Sequence, residues 1–312
     1  MKKINANRLW TLLFLAFLFA MVVMLASCGR DADYETNTHE ITEDFSEISI
    51  KTGTADILFI KSDDDTCKVV CYEDKNMRHE VSAEDGTLSI NLIDTREWYQ
   101  HVSWFSSPKI TVSLPKAEYD SLTVEESTGD IEIPESLGFA SVDLSLSTGD
   151  VQCFASVKQT MKINASTGDV SVKNASLGAL DLSLSTGDVT ISDVDCGGSI
   201  RIGLSTGKVS LSNVTCKNLE SNGSTGDVIL KDTIVSTVLD IDRSTGSIRL
   251  ERCDAEEISL STDTGDVNGT LLSEKIFIAK TSTGSIDVPE TRSGGICEIA
   301  TGTGSIHISI LE

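Results

Sequence analysis

The chain has 312 residues, only 5% of them aromatic, with 23 glycines, 4 prolines and a formal net charge of −23. That charge excludes nucleic acid as a partner, because phosphate binding needs clustered Lys and Arg, and it opposes adsorption to anionic lipid. The length suffices for one large core or a long repeat array, and the shortage of aromatics points to a narrow core of aliphatic side chains.

The chain opens with a targeting pattern. "MKKINANR" carries three positive charges, "LWTLLFLAFLFAMVVM" is continuously apolar, and "LASC" closes the segment at Cys28. The small residues before that cysteine resemble a bacterial lipobox. The resemblance implies a signal peptide over residues 1–27 and lipidation of Cys28 as the mature N-terminus, so that the lipid attaches the protein to a membrane. The other reading of so long an apolar run is an uncleaved transmembrane anchor. Both readings place the rest of the chain in the cell envelope, outside the cytoplasm.

Residues 28–44 are polar and aperiodic and are expected to form a flexible tether. Residues 45–118 read as a less regular N-terminal β region or cap, with strands in "FSEISIKTGTADILFI", "CKVVCYED", "GTLSINLI" and "KITVSLPK" and a turn at Gly86. Within it, "REWYQHVSWFSSPK" concentrates Trp98, Tyr99, Trp104 and Phe105. Such a cluster suits either an interaction patch on which a ligand or glycan stacks or a plug over the open end of a repeat array.

Residues 119–312 are such an array. Turn glycines recur at Gly129, Gly149, Gly168, Gly187, Gly207, Gly226, Gly246, Gly265, Gly284 and Gly304, always 19 or 20 residues apart. Thr precedes every one of them. Two residues after each glycine stands Val or Ile, and seven before it the residue is apolar in all ten copies. Five before the glycine only Ser221 breaks the apolar rule, and four after it only Gly269 does. Apolar and polar residues alternate on both sides of the glycine, which is strand, tight turn, strand. One such unit cannot bury its apolar face alone, and stacking the units buries a continuous column. The predicted fold is all-β, a parallel β-solenoid with 19–20-residue coils, right-handed by the general crossover preference.

These "STGDV" repeats behind a signal segment, led in by "ITVSLPKAEYDSLTVEESTGDI", resemble the bacterial "putative adhesin" domain family over about residues 45–312. The resemblance implies a cell-envelope β-solenoid and supplies no catalytic residue to carry over. The expected function is therefore a non-enzymatic, lipid-anchored envelope protein that presents an acidic solenoid to a surface glycan or protein. The alternatives are an envelope-stress or regulatory component that binds a membrane partner and, behind it, a β-helix enzyme acting on polysaccharide.

Three residue patterns bear on chemistry. Asp130, Asp150, Asp169 and Asp188 follow their glycines in four consecutive coils, an oxygen row suited to weak Ca²⁺ binding or simply to a solvated turn. Cys196 and Cys216 share one register position in adjacent coils, which permits a disulfide or two free thiols beside the core. His39, His79, His101 and His307 are scattered, and no spacing marks a metal site, a nucleophile or a phosphate loop. No cofactor is expected beyond that weak Ca²⁺.

Overall fold

The computed structural model describes residues 34–96 and 108–311. Those residues form 24 strands and no helix, joined in one continuous sheet. The sheet is a β-solenoid whose coils stack in parallel, and its axis is the hydrogen-bonding direction.

The pairing follows from the repeat. Val142 to Ala165 illustrates it: Val142 pairs with Met161, Leu144 with Ile163 and Leu146 with Ala165, so like positions lie on like. Each coil thus adds one layer of aliphatics to a column in which Leu144, Ile163, Leu182 and Ile202 are buried. Layers repeat at the interstrand spacing of about 4.8 Å. At the turn the backbones approach as closely as they do in the strands. A Cβ on Gly187 would stand 1.9 Å from the carbonyl oxygen of Gly168, and its φ is 139°. Glycine is thus required both for the backbone angle and for the stacking.

A second corner lies six residues after five successive turn glycines, Gly168 to Gly246, where Asn174, Asp193, Asn213, Asp232 and Arg252 have φ between 47° and 55°. Asn and Asp tolerate this left-handed region. Arg252 does not share that tolerance, and it is held there by ion pairs to Asp232 and Glu251.

The exceptions to the apolar rule have physical causes. Ser221 receives the guanidinium of Arg243, whose Nη2 donates to Ser221 Oγ at 2.7 Å from within the core. Gly223 makes room for it, since a Cβ there would lie 2.5 Å from Nη1. Gly269 has no side chain because one would collide with Leu250.

Both ends depart from a simple repeat. At the N-terminal end, β1 (Tyr34–Ile41), β2 (Glu47–Lys51), β3 (Asp56–Lys61), β4 (Cys67–Asp74), β5 (Met77–Glu84), β6 (Thr87–Asp94) and β7 (Lys109–Leu114) build the start of the rod. β2 and β3 flank Gly53 and stack in parallel on the Gly129 coil, so they form a further coil. β6 and β7 stack on β2 and β3 in turn. β1, β4 and β5 then add antiparallel pairings, and Asp85–Gly86, both with positive φ, close the β5–β6 hairpin. Residues 34–41, expected within a tether, are the strand β1 paired along its length with β4. Its alternation of half-buried and exposed residues is too polar to show in the sequence.

At the C-terminal end the chain order and the stacking order differ. Strand Glu257–Thr264 pairs with Gly295–Thr303, and only then does Gly295–Thr303 pair with Lys275–Thr283. The last coil in sequence is therefore inserted beneath the Gly284 coil, which becomes the outermost layer. Its Ile286, at a position buried in every other repeat, is 46% exposed.

Candidate functional site

The acidic row has a definite role at the turn. Every turn glycine except Gly284 of the outermost coil donates its N–H to the carbonyl of the Thr in the coil stacked on it, as Gly168 does to Thr186 at 3.0 Å. The next N–H along the chain points the other way, toward the preceding coil, and meets no backbone carbonyl there. The carboxylate supplies the acceptor. Asp150 N–H donates to Asp130 Oδ1 at 2.8 Å, Asp169 N–H to Asp150 Oδ1 at 2.7 Å, and Asp188 N–H to Asp169 Oδ1 at 2.8 Å. Where Ser replaces Asp, its hydroxyl accepts instead, as Ser247 Oγ does from Asp266 N–H at 3.3 Å. Lys208 has no acceptor to offer Asp227. One oxygen of each Asp is thus committed to the fold and the other faces solvent.

Cys28 and the aromatics Trp98, Tyr99, Trp104 and Phe105 lie outside the described residues. Asp94 ends β6 and Lys109 begins β7, so the chain on either side of that aromatic segment stands at the corner of an end coil. Cys196 and Cys216 are free thiols, both buried in the aliphatic column; the disulfide is not formed. Burial pushes the Cys216 thiol up to about 12 and raises that of Cys196.

One concavity among the described residues escaped the sequence reading. A trough of about 1030 Å³ crosses successive coils on the outer face of the strand that precedes the turn. Ser127, Ser147, Ser166, Ser185 and Ser205 form one row of its lining. Ser145, Asn164 and Ser183 run beside them on the same face, two residues earlier in each coil. The signal was present, since the residue two before the turn glycine is Ser in eight of ten repeats. It read as turn chemistry. Stacking converts it into hydroxyls spaced about 4.8 Å apart along the rod.

Lys51, Thr52 and Leu92 line the N-terminal end of the trough, where Lys51 pairs with Glu125 at 3.1 Å. Glu126 lies beneath that end at a position occupied by Leu in several later coils. Its Oε1 accepts the Ala55 N–H at 3.1 Å, and Oε2 has no partner among the described residues. Burial, with Asp56 and Asp130 adding repulsion, pushes its carboxyl up to about 8.

Behind Thr52 lies a buried polar network. Thr52 Oγ1 contacts His79 Nε2 at 2.8 Å, and His79 Nδ1 contacts Glu73 Oε2 at 2.7 Å. Asn37 Nδ2 donates to Glu73 Oε1 at 2.7 Å. The sequence spacing left His79 without partners. The cap supplies them by laying β1, β4 and β5 against the first coil.

Residues 45–203 and 198–312 each match one family model, the second span repeating the first. The chain belongs to the Toastrack DUF4097 family. Solved structures similar to this Toastrack chain include a protein of Parabacteroides distasonis described as a "putative lipid binding protein". It is 18% identical, with 89% of this chain and 98% of that chain covered and a TM-score of 0.48. A "putative adhesin" of the same organism is 13% identical, covering 88% and 98%, with a TM-score of 0.47. Another so described, from Bacteroides fragilis, is 15% identical, covering 91% and 100%, with a TM-score of 0.45. None of these three descriptions names an enzyme. No curated protein matches this chain. Among the described residues no helix is long and apolar enough to cross a membrane.

Proposed function

We propose that this Toastrack chain is a lipid-anchored envelope protein, held outside the cytoplasm at Cys28, whose solenoid binds an extended surface glycan along the serine trough. The carrying observation is the trough itself: two parallel rows of short hydroxyl and amide side chains, side by side on one face and repeated at the coil spacing. Such groups both donate and accept hydrogen bonds, which suits the hydroxyls of a sugar chain lying along the rod. The rows carry little charge and no aromatic ring, so recognition is by many weak polar contacts. The reading is of a binder that performs no reaction. Glu125 is tied to Lys51 and Glu126 is sealed beneath the strand, so neither stands free as an acid or base toward a bound sugar.

The test is binding of the purified protein to isolated cell-wall polymers and a glycan array, with Ca²⁺ and with chelator, beside the variant Ser166→Arg/Ser185→Arg that fills the trough. Saturable binding abolished in the variant supports the reading. Binding that survives in the variant and vanishes in chelator moves the site to the free oxygens of Asp130, Asp150, Asp169 and Asp188. No binding to any polymer rejects the glycan and leaves contact with an envelope protein.

A further inference from the structure

We propose that Cys71, Glu73 and His79 form a binding site for one divalent metal ion of the zinc class, inside the N-terminal cap. The three side chains are buried, and their ligand atoms all lie within 4.8 Å of one another. Cys71 and Glu73 sit two residues apart on β4 and so project to the same face; His79 comes from β5. A thiolate, an imidazole and a carboxylate are the donors that zinc takes in proteins. The thiolate disfavours Ca²⁺ and Mg²⁺, which require oxygen ligands.

The surroundings of the imidazole and the carboxylate are those of a metal site. A metal-bound imidazole coordinates through one nitrogen and donates the other N–H to a fixed acceptor. Here Nδ1 faces Glu73, and Nε2 lies 2.8 Å from Thr52 Oγ1. The carboxylate is likewise held, with Oε1 taken by Asn37 Nδ2 at 2.7 Å and Oε2 turned toward His79. Oε2 also accepts the backbone N–H of His79 at 2.7 Å, fixing β4 to β5 at this point.

Loading the ion needs little motion. Ligand atoms of a tetrahedral zinc site are separated by roughly 3.2–3.8 Å, given bonds of about 2.0–2.3 Å. Glu73 Oε2 and His79 Nδ1, now 2.7 Å apart, must open by roughly 0.6 Å on that geometry, since the oxygen–nitrogen pair lies at the short end of the range. The imidazole proton then resides on Nε2, donated to Thr52 Oγ1, and the Cys71 thiol proton leaves to solvent. One thiolate and one carboxylate balance the two positive charges, so the loaded site is neutral in the buried cap.

The experiment uses the full-length chain purified in detergent, stripped with chelator and titrated with Co²⁺, which reports thiolate ligation by near-ultraviolet charge-transfer absorption. The expected result is one equivalent bound with that absorption, displaced by Zn²⁺. It should be lost in Cys71→Ser and retained in Cys67→Ser, since Cys67 lies four residues away on the same strand. Thr52→Val leaves all three ligands in place and is expected to weaken binding roughly 10–100-fold. Should Cys71→Ser fail to fold, Thr52→Val decides alone. Absence of a stoichiometric site overturns the proposal, as does absorption unchanged in Cys71→Ser or affinity unchanged in Thr52→Val. In those cases Glu73, His79 and Thr52 are a hydrogen-bonded strut.

Discussion

Glu126→Gln should make the protein more stable at pH 8 while leaving it nearly unchanged at pH 4.5. The carboxyl stands at about 8 in the folded protein against an ordinary 4.5, chiefly through desolvation. At pH 4.5 the folded chain holds this proton and the unfolded chain holds about half of it, a difference of only about 0.4 kcal/mol, and below that pH both hold it. As the pH rises, the unfolded chain ionises freely while the folded one retains its proton, so stability is lost progressively up to about pH 8. The full difference amounts to roughly 5 kcal/mol, an upper figure because water and backbone movement soften buried charges. Gln keeps the oxygen that accepts the Ala55 N–H and removes the charge. Thermal unfolding of both proteins from pH 4.5 to 8.5 gives the comparison, with a gap at the alkaline end of up to 5–10 °C, taking roughly 2 °C per kcal/mol for a chain of this size. Solenoids need not melt as one unit, so exchange of the Ala55 amide hydrogen supplies a local reading of the same opening. Parallel stability curves for the two proteins, with Ala55 exchange equally pH-insensitive in both after correction for intrinsic rates, would refute the reasoning.

Other substitutions probe the turn and the core. Asp169→Ala deprives Asp188 N–H of its acceptor and should cost about 0.5–1.5 kcal/mol in denaturant unfolding, whereas Asp169→Ser, the residue found at Ser247 and Ser305, should cost less. Gly187→Ala drives a Cβ into the Gly168 carbonyl and should prevent soluble folding, while Gly86→Ala, with open space around it and φ of 82°, should cost only about 1–2 kcal/mol; equal expression and melting of the two would contradict the stacking account. Arg243→Ala leaves a cavity and an unpartnered Ser221, for a loss of about 2–5 kcal/mol, and Ser221→Ile/Arg243→Leu should recover most of it, since buried ion groups replaced by packed aliphatics are often neutral.

The fold was legible because its information is local and repeated. Glycine spacing, alternation about each glycine and the invariant Thr fix coil length, the buried positions and the corner. They hold for every repeat whatever its neighbours. Even the acidic row was visible, though its role was not. An Asp that accepts an N–H from the coil beside it looks, in one dimension, the same as an Asp that tolerates a turn. The serine trough was hidden for the same reason: Ser127, Ser147 and Ser166 are about 20 residues apart in sequence and become neighbours only by stacking.

Tertiary structure alone decided three things. It placed the Gly304 coil beneath the Gly284 coil, a choice the sequence leaves open because the two carry the same pattern and either stacks on the Gly265 coil. It recruited residues 34–41 as a strand, since polar residues such as Asn37 gain their reason only from Glu73 across the pair. It brought Thr52, Cys71, Glu73 and His79 together from a coil corner and two cap strands. Sequence patterning determines which faces are buried, because burial repeats with the backbone's own period. Which side chains meet is settled by how one layer lies on the next, and no local pattern carries that.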